Sequence, residues 1–130
     1  MTVKDFKKLQ KKKINKFRNR YVVIDGIKFD SKKESQYYLF LKRLKQRGVV
    51  RHFERQVGID LIPAYIKNGK KVRGMKYYID FIVYYENGGV EYIDVKPSYK
   101  FQDSVYKIKK KLLHYLYPDI TIKEVYDISL

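Results

Sequence analysis

Met75 to Lys96, MKYYIDFIVYYENGGVEYIDVK, constrains the fold more than any other stretch of the chain. Two runs rich in tyrosine and β-branched residues flank Glu86-Asn87-Gly88-Gly89, and this predicts two strands joined by a tight turn. Each run carries one aspartate, Asp80 and Asp94, and Lys96 stands two residues after the second. An isolated charge inside an apolar sheet is costly unless it is paired or holds a cation. Strand alternation puts Ile79, Phe81, Val83, Ile93 and Val95 on one face, a core face. Tyr78, Asp80, Ile82, Tyr84, Tyr92, Asp94 and Lys96 fall on the other. The turn decides whether the aspartates meet. A three-residue loop, Glu86-Asn87-Gly88 with Gly88 left-handed, pairs Tyr85 with Gly89 and so Asp80 with Asp94. A two-residue Asn87-Gly88 turn shifts the register by one and sends the aspartates to opposite faces.

A chain of 130 residues supports one domain, divided here into a basic arm over 1–20 and a single domain over 21–130. Hydrophobic residues make up 45%, enough for a packed core. The absence of cysteine excludes disulfides and thiolate metal sites and fits a cytoplasmic protein. No apolar run is long enough to cross a membrane, and the N-terminus lacks the apolar stretch of a secretory signal. The net charge of +16 points to a polyanionic partner, nucleic acid before an anionic membrane surface. A merely soluble basic protein is the plainer alternative.

The arm is dominated by lysine and arginine, among them Lys11, Lys12, Lys13, Arg18 and Arg20, and suits phosphate tracking. A thin stripe of Val3, Phe6, Leu9, Ile14 and Phe17 equally suits a solvated helix packed on the domain. Asp25-Gly26 predicts a hairpin over 21–29. A helix then runs from an N-cap at Ser31 to about Arg47, with Gly48 as its stop. Glu34, three residues after Ser31, fits a capping box, and it also stands where it can point at the sheet. Residues 49–62 predict a strand with Arg51, Phe53, Arg55, Val57, Ile59 and Leu61 on one face and His52, Glu54, Gln56 and Asp60 on the other. Asn68-Gly69 marks a further turn. Beyond Pro97, a helix is expected from about Gln102 to Tyr117 with Val105, Ile108, Leu112 and Leu116 as its apolar stripe. The strand ITIKEVY over 120–126 closes the domain, and the crossover helix before it predicts parallel pairing.

Hydrolysis of a phosphodiester needs an activated water, neutralisation of phosphate charge and help for the leaving oxygen. Mg²⁺ supplies much of this and takes oxygen ligands, so two facing carboxylates can make a site. Lys96 on the same side can orient the attacking water or stabilise charge developing on the phosphate. The alternative is a buried Asp–Lys ion pair with Asp80 exposed at a strand end.

Glu34 on a first helix, Asp80 in a strand and Asp94-Val95-Lys96 in the next together resemble the PD-(D/E)xK nuclease superfamily. The expected αβββαβ order resembles that superfamily's core: a restriction-endonuclease-like α/β fold with a mixed central sheet flanked by helices. FDSKKESQYY, YYIDF and DVKP followed by a lysine-rich helix resemble small phage and prophage proteins. They are also similar to the endonuclease subunit of heteromeric bacterial transposases and to Holliday junction resolvases. The resemblance spans roughly Tyr21 to Val125. It implies that Asp80 and Asp94 bind metal, that Glu34 completes the metal site directly or through water, and that Lys96 is the catalytic lysine. Gln56 corresponds to a polar site residue of some related nucleases, and Ile79 replaces the proline of the nominal motif. Lys107 and Lys110 correspond to basic residues near the scissile phosphate, although a solvated helix face explains them equally. Lys32 and Lys33 join them as candidate DNA contacts.

The function these features lead one to expect is a Mg²⁺-dependent DNA endonuclease, with Mn²⁺ able to substitute and no other small-molecule cofactor. A phage-type four-way-junction resolvase is expected, in a bacterial cytoplasm, with DNA as partner and a two-fold homodimer matching the junction. A transposase-type or nicking nuclease of the same fold, and a DNA-binding protein without activity, are the alternatives.

Overall fold

A computed structural model describes residues 21–98, 100, 101 and 103–128. The basic arm lies outside these residues. The elements follow from local signals. Asp25 and Gly26, both left-handed (φ 53° and 74°), close the hairpin of β1 (Val22–Ile24) and β2 (Ile27–Phe29). Ser31 caps α1 (Lys32–Gln46), its hydroxyl accepting from the Glu34 amide at 3.0 Å. Gly48 (φ 77°) ends that helix, with the Gly48 amide donating to the Lys45 carbonyl and the Val49 amide to the Leu44 carbonyl.

Three strands follow: β3 (Val50–Ile62), β6 (Met75–Tyr85) and β7 (Val90–Val95), with a small ribbon of β4 (Tyr65–Lys67) and β5 (Lys70–Val72) between the first two. Helix α2 (Ser104–Leu116), capped by Asp103, then leads to β8 (Ile122–Val125). The central sheet has the order β3-β6-β7-β8, antiparallel except for the final parallel pair. The protein is a mixed α/β fold whose element order is the one anticipated, with β4–β5 as an addition.

The hairpin register is that of the three-residue loop. The Tyr85 amide donates to the Gly89 carbonyl at 2.9 Å, Gly88 has φ 92°, and Tyr84 pairs with Val90. Asp80 and Asp94 are therefore brought across from one another.

Two apolar clusters hold the elements together. Phe29, Tyr37, Tyr38, Leu41, Val50, Phe81, Val83 and Ile93 form the one that includes α1. Leu61, Tyr77, Ile79, Ile82, Leu113 and Ile122 form the one that includes α2. The expected single face of Ile79, Phe81 and Val83 is thus divided: Ile79 packs with α2, Phe81 and Val83 with α1. The break falls at Asp80. Across from it, between the pairs Arg55–Phe81 and Val57–Ile79, Gln56 has φ 49°. A left-handed residue inside a ladder breaks the pleat, so alternation does not carry through it. The apolar stripe expected on α2 is also corrected. Leu113 is its buried residue, whereas Val105 and Ile108 are 62% and 67% exposed. The inward face carries Tyr106, Lys109, Lys110 and Leu113, with lysine stems covering apolar surface.

Candidate active site

The site forms where the β6–β7 ladder ends. Paired residues run from Tyr84–Val90 to Phe81–Ile93. One step further the carboxylates replace the ladder. The Asp80 amide donates to Asp94 Oδ1 at 3.1 Å, and the Val95 amide donates to Asp80 Oδ2 at 2.9 Å. Each aspartate thus satisfies a backbone N–H of the opposite strand, which holds both side chains in fixed positions.

Asp94 is 2% exposed, and its Oδ2 accepts from the Tyr77 hydroxyl. Burial and the Asp94 charge push the Tyr77 phenol far up, so it remains a donor. Asp80 is half-buried. Burial first, then repulsion from Asp94 and Glu34, raises its pKa from 3.8 to about 7, against the lowering effect of the Val95 and Gln56 hydrogen bonds.

The Glu34 side chain turns to the sheet. Ser31 caps the helix, while the Glu34 carboxylate accepts from Gln56 Nε2 at 2.8 Å and from the Arg55 guanidinium at 3.4 Å. The same Gln56 nitrogen donates to Asp80 Oδ1 at 3.1 Å. The left-handed backbone of Gln56 aims one amide between two carboxylates, the kind of local strain that clusters at functional sites. Glu34, Gln56, Asp80 and Asp94 form one connected network.

Lys96 lines the same cavity, about 470 Å³, with Lys32, Lys33, Glu34 and Asp80 among its walls. Its ammonium does not pair with either aspartate among the described residues. It lies 3.5 Å from the Tyr106 ring centroid and 5.1 Å from that of Phe101. Such cation–π contacts position the ammonium beside the cluster without pairing it with the acids.

The basic residues fall into distinct roles. Lys32 is exposed on the cavity wall. Lys33 donates to the Pro97 and Tyr126 carbonyls, the latter at 2.7 Å, and so fastens α1 to the segments after β7 and β8. Lys110 lies 3.4 Å from Glu124 and 5.2 Å from the Tyr106 ring. Lys107 is exposed on α2. Lys11, Lys12, Lys13, Arg18 and Arg20 lie outside the described residues.

Sequence reasoning missed four contributors. Arg55 stacks 4.4 Å from the centre of the Phe29 ring and braces Glu34, and its Nε is buried without a partner among the described residues. Its place on the apolar face of β3 was the available signal. Tyr77, Phe101 and Tyr106 carried none, in a chain with 14 tyrosines and 7 phenylalanines.

Among the described residues no group of three histidine, cysteine or acidic side chains stands ready as a cation site. The donor set nevertheless suits a hard cation. Asp94 and Glu34 stand close enough to raise Asp80, one amide spans Glu34 and Asp80, and each oxygen of Asp80 and Asp94 accepts a single hydrogen bond and so keeps a second lone pair.

No curated protein and no solved structure matches the chain. Residues 14–128 match the model of the family described as Protein of unknown function (DUF1064). The match covers most of the chain, which therefore belongs to that family.

Proposed function

We propose that the chain is a metal-dependent DNA endonuclease with a restriction-endonuclease-like core, acting on branched DNA such as a four-way junction. One observation carries this reading: Glu34, Gln56, Asp80 and Asp94 share one hydrogen-bonded network, and Glu34 and Asp80 of that network line a cavity together with Lys96. Acids from α1, β6 and β7 are linked through that network, although a purely structural sheet gains nothing by raising the pKa of Asp80.

Glu34, Asp80 and Asp94 are the residues that would hold a divalent ion. When bound, such an ion supplies Lewis acidity and an acidified water. Gln56 bridges Glu34 and Asp80 by donating to both from one nitrogen, and so fixes their separation. Tyr77 and the Asp80 amide orient the Asp94 carboxylate. Tyr106 and Phe101 hold the Lys96 ammonium, which faces the phosphate as charge develops on it. The high positive charge, with no base-reading module among the described residues, favours recognition of phosphates and DNA shape. Two symmetric cuts in a junction call for a two-fold dimer.

The test is cleavage of a four-way junction and a matched linear duplex in Mg²⁺. Wild type cuts the junction, while Asp80→Asn and Lys96→Ala bind it but cut at least about 100-fold more slowly. Equal cutting of both substrates removes the junction preference and leaves the nuclease. Binding without any cutting by the wild type overturns the enzyme reading.

A further inference from the structure

We propose that the β4–β5 ribbon is a clamp that grips duplex DNA phosphates beside the carboxylate cluster. The inference takes its partner from the nuclease reading above and adds the element that holds that partner.

The ribbon is built to project. Asn68 and Gly69 have φ of 49° and 74°, a two-residue turn that fits the strand twist and keeps the hairpin rigid. From Ile62 to Lys76 every residue except Val72 is exposed. At its root, a Cβ on Gly74 would lie 2.8 Å from the Ile62 carbonyl oxygen and 2.9 Å from the Ala64 nitrogen. The two chain segments are pressed together there, so the ribbon leaves the sheet in a defined direction.

Its charges are unbalanced. Lys67, Lys70, Lys71 and Arg73 crowd the ribbon, and no acidic residue occurs between Asp60 and Asp80. Lys67 and Lys70 are direct cross-strand partners. Like charges opposite one another destabilise a ribbon, and an exposed hairpin has little packing to offset this. Among the described residues none of these four side chains makes an ion pair or hydrogen bond. A polyanion removes the repulsion.

The ribbon also communicates with the site. Lys76, Tyr78 and Lys109 line the recess at its root, and the same three line the recess over Asp80, Asp94 and Lys96. Lys76 and Lys109 thus stand between cluster and ribbon, with Asp60 on the wall of the root recess 3.8 Å from the Lys76 ammonium. The five residues from Asp80 back to Met75 span about 17 Å, roughly five base-pair steps of duplex. A two-stranded ribbon also has the width that a DNA major groove admits. Single-stranded RNA would favour a stacking platform, and Tyr65 is the ribbon's only aromatic residue.

The test uses the full chain in EDTA with a fluorescent duplex, reading affinity across a salt series. One variant combines Lys67→Ser, Lys70→Ser and Lys71→Ser and keeps the Asn68-Gly69 turn. A second removes as much charge near the other end of β3 with Lys45→Ser, Arg47→Ser and Arg51→Ser. The ribbon variant is expected to bind at least about tenfold more weakly, with the salt slope reduced by about 2 to 3, and the other variant by less than about 1. Equal losses in both variants, or none in the ribbon variant, overturn the clamp. So does a ribbon variant that loses single-stranded RNA but keeps duplex. If the slope follows the ribbon while wild type cuts no DNA in Mg²⁺, the clamp stands and the nuclease reading fails. If cutting persists and the slope ignores the ribbon, only the clamp fails.

Discussion

Asp80 is the residue whose surroundings have the clearest consequence in solution. Its folded pKa of about 7 lies above the unfolded value of 3.8, so the folded chain binds this proton more tightly than the unfolded one. The stability that results is complete below about pH 4 and is lost as pH rises through 7. Thermal denaturation without divalent ions should therefore show a contribution to the melting temperature that falls between about pH 4 and 7 and levels off above, and Asp80→Asn should flatten that fall. A second expectation concerns Tyr106. Tyr106→Phe keeps the ring under Lys96 and should leave turnover within about threefold, whereas Tyr106→Leu should lower kcat by up to about tenfold with KM little changed. The acids and Lys96 were legible in the sequence because a charge in an apolar strand is conspicuous. Their supports were not, because a tyrosine that anchors a carboxylate reads like any core aromatic residue.

Among the elements, the hairpin register was only half legible: Glu86-Asn87-Gly88 admits the three-residue loop, but Asn87-Gly88 alone also makes a two-residue turn, and the Tyr85–Gly89 hydrogen bond decides between them. The inward face of α2 was not. Its apolar residues at helical spacing suggested a stripe through Val105 and Ile108, yet Tyr106 and the lysine stems with Leu113 pack on the sheet. Leu113→Ala should therefore cost about 2 to 5 kcal/mol, and Ile108→Ala should stay within about 0.5 kcal/mol, by urea denaturation. The break in alternation at Gln56 and Asp80 was hidden for a different reason. Glutamine is not a residue that announces a left-handed backbone, so period-two counting ran straight through the site.

For the whole molecule, charge and chemistry are separable. The charge of +16 is spread far beyond the cavity. Removal of residues 1–18 should weaken DNA binding and flatten its salt dependence, while turnover at saturating DNA persists. The excess of positive charge was legible from composition, but its concentration on an exposed ribbon was not, because Asn68-Gly69 marks a turn without saying how far it projects. The same tip carries a further consequence. Trypsin cuts after lysine, and Lys67, Lys70 and Lys71 offer it an exposed hairpin end. A chain nicked there should still migrate as one particle under native conditions, since the long β3–β6 pairing joins the two fragments, and should separate only in detergent.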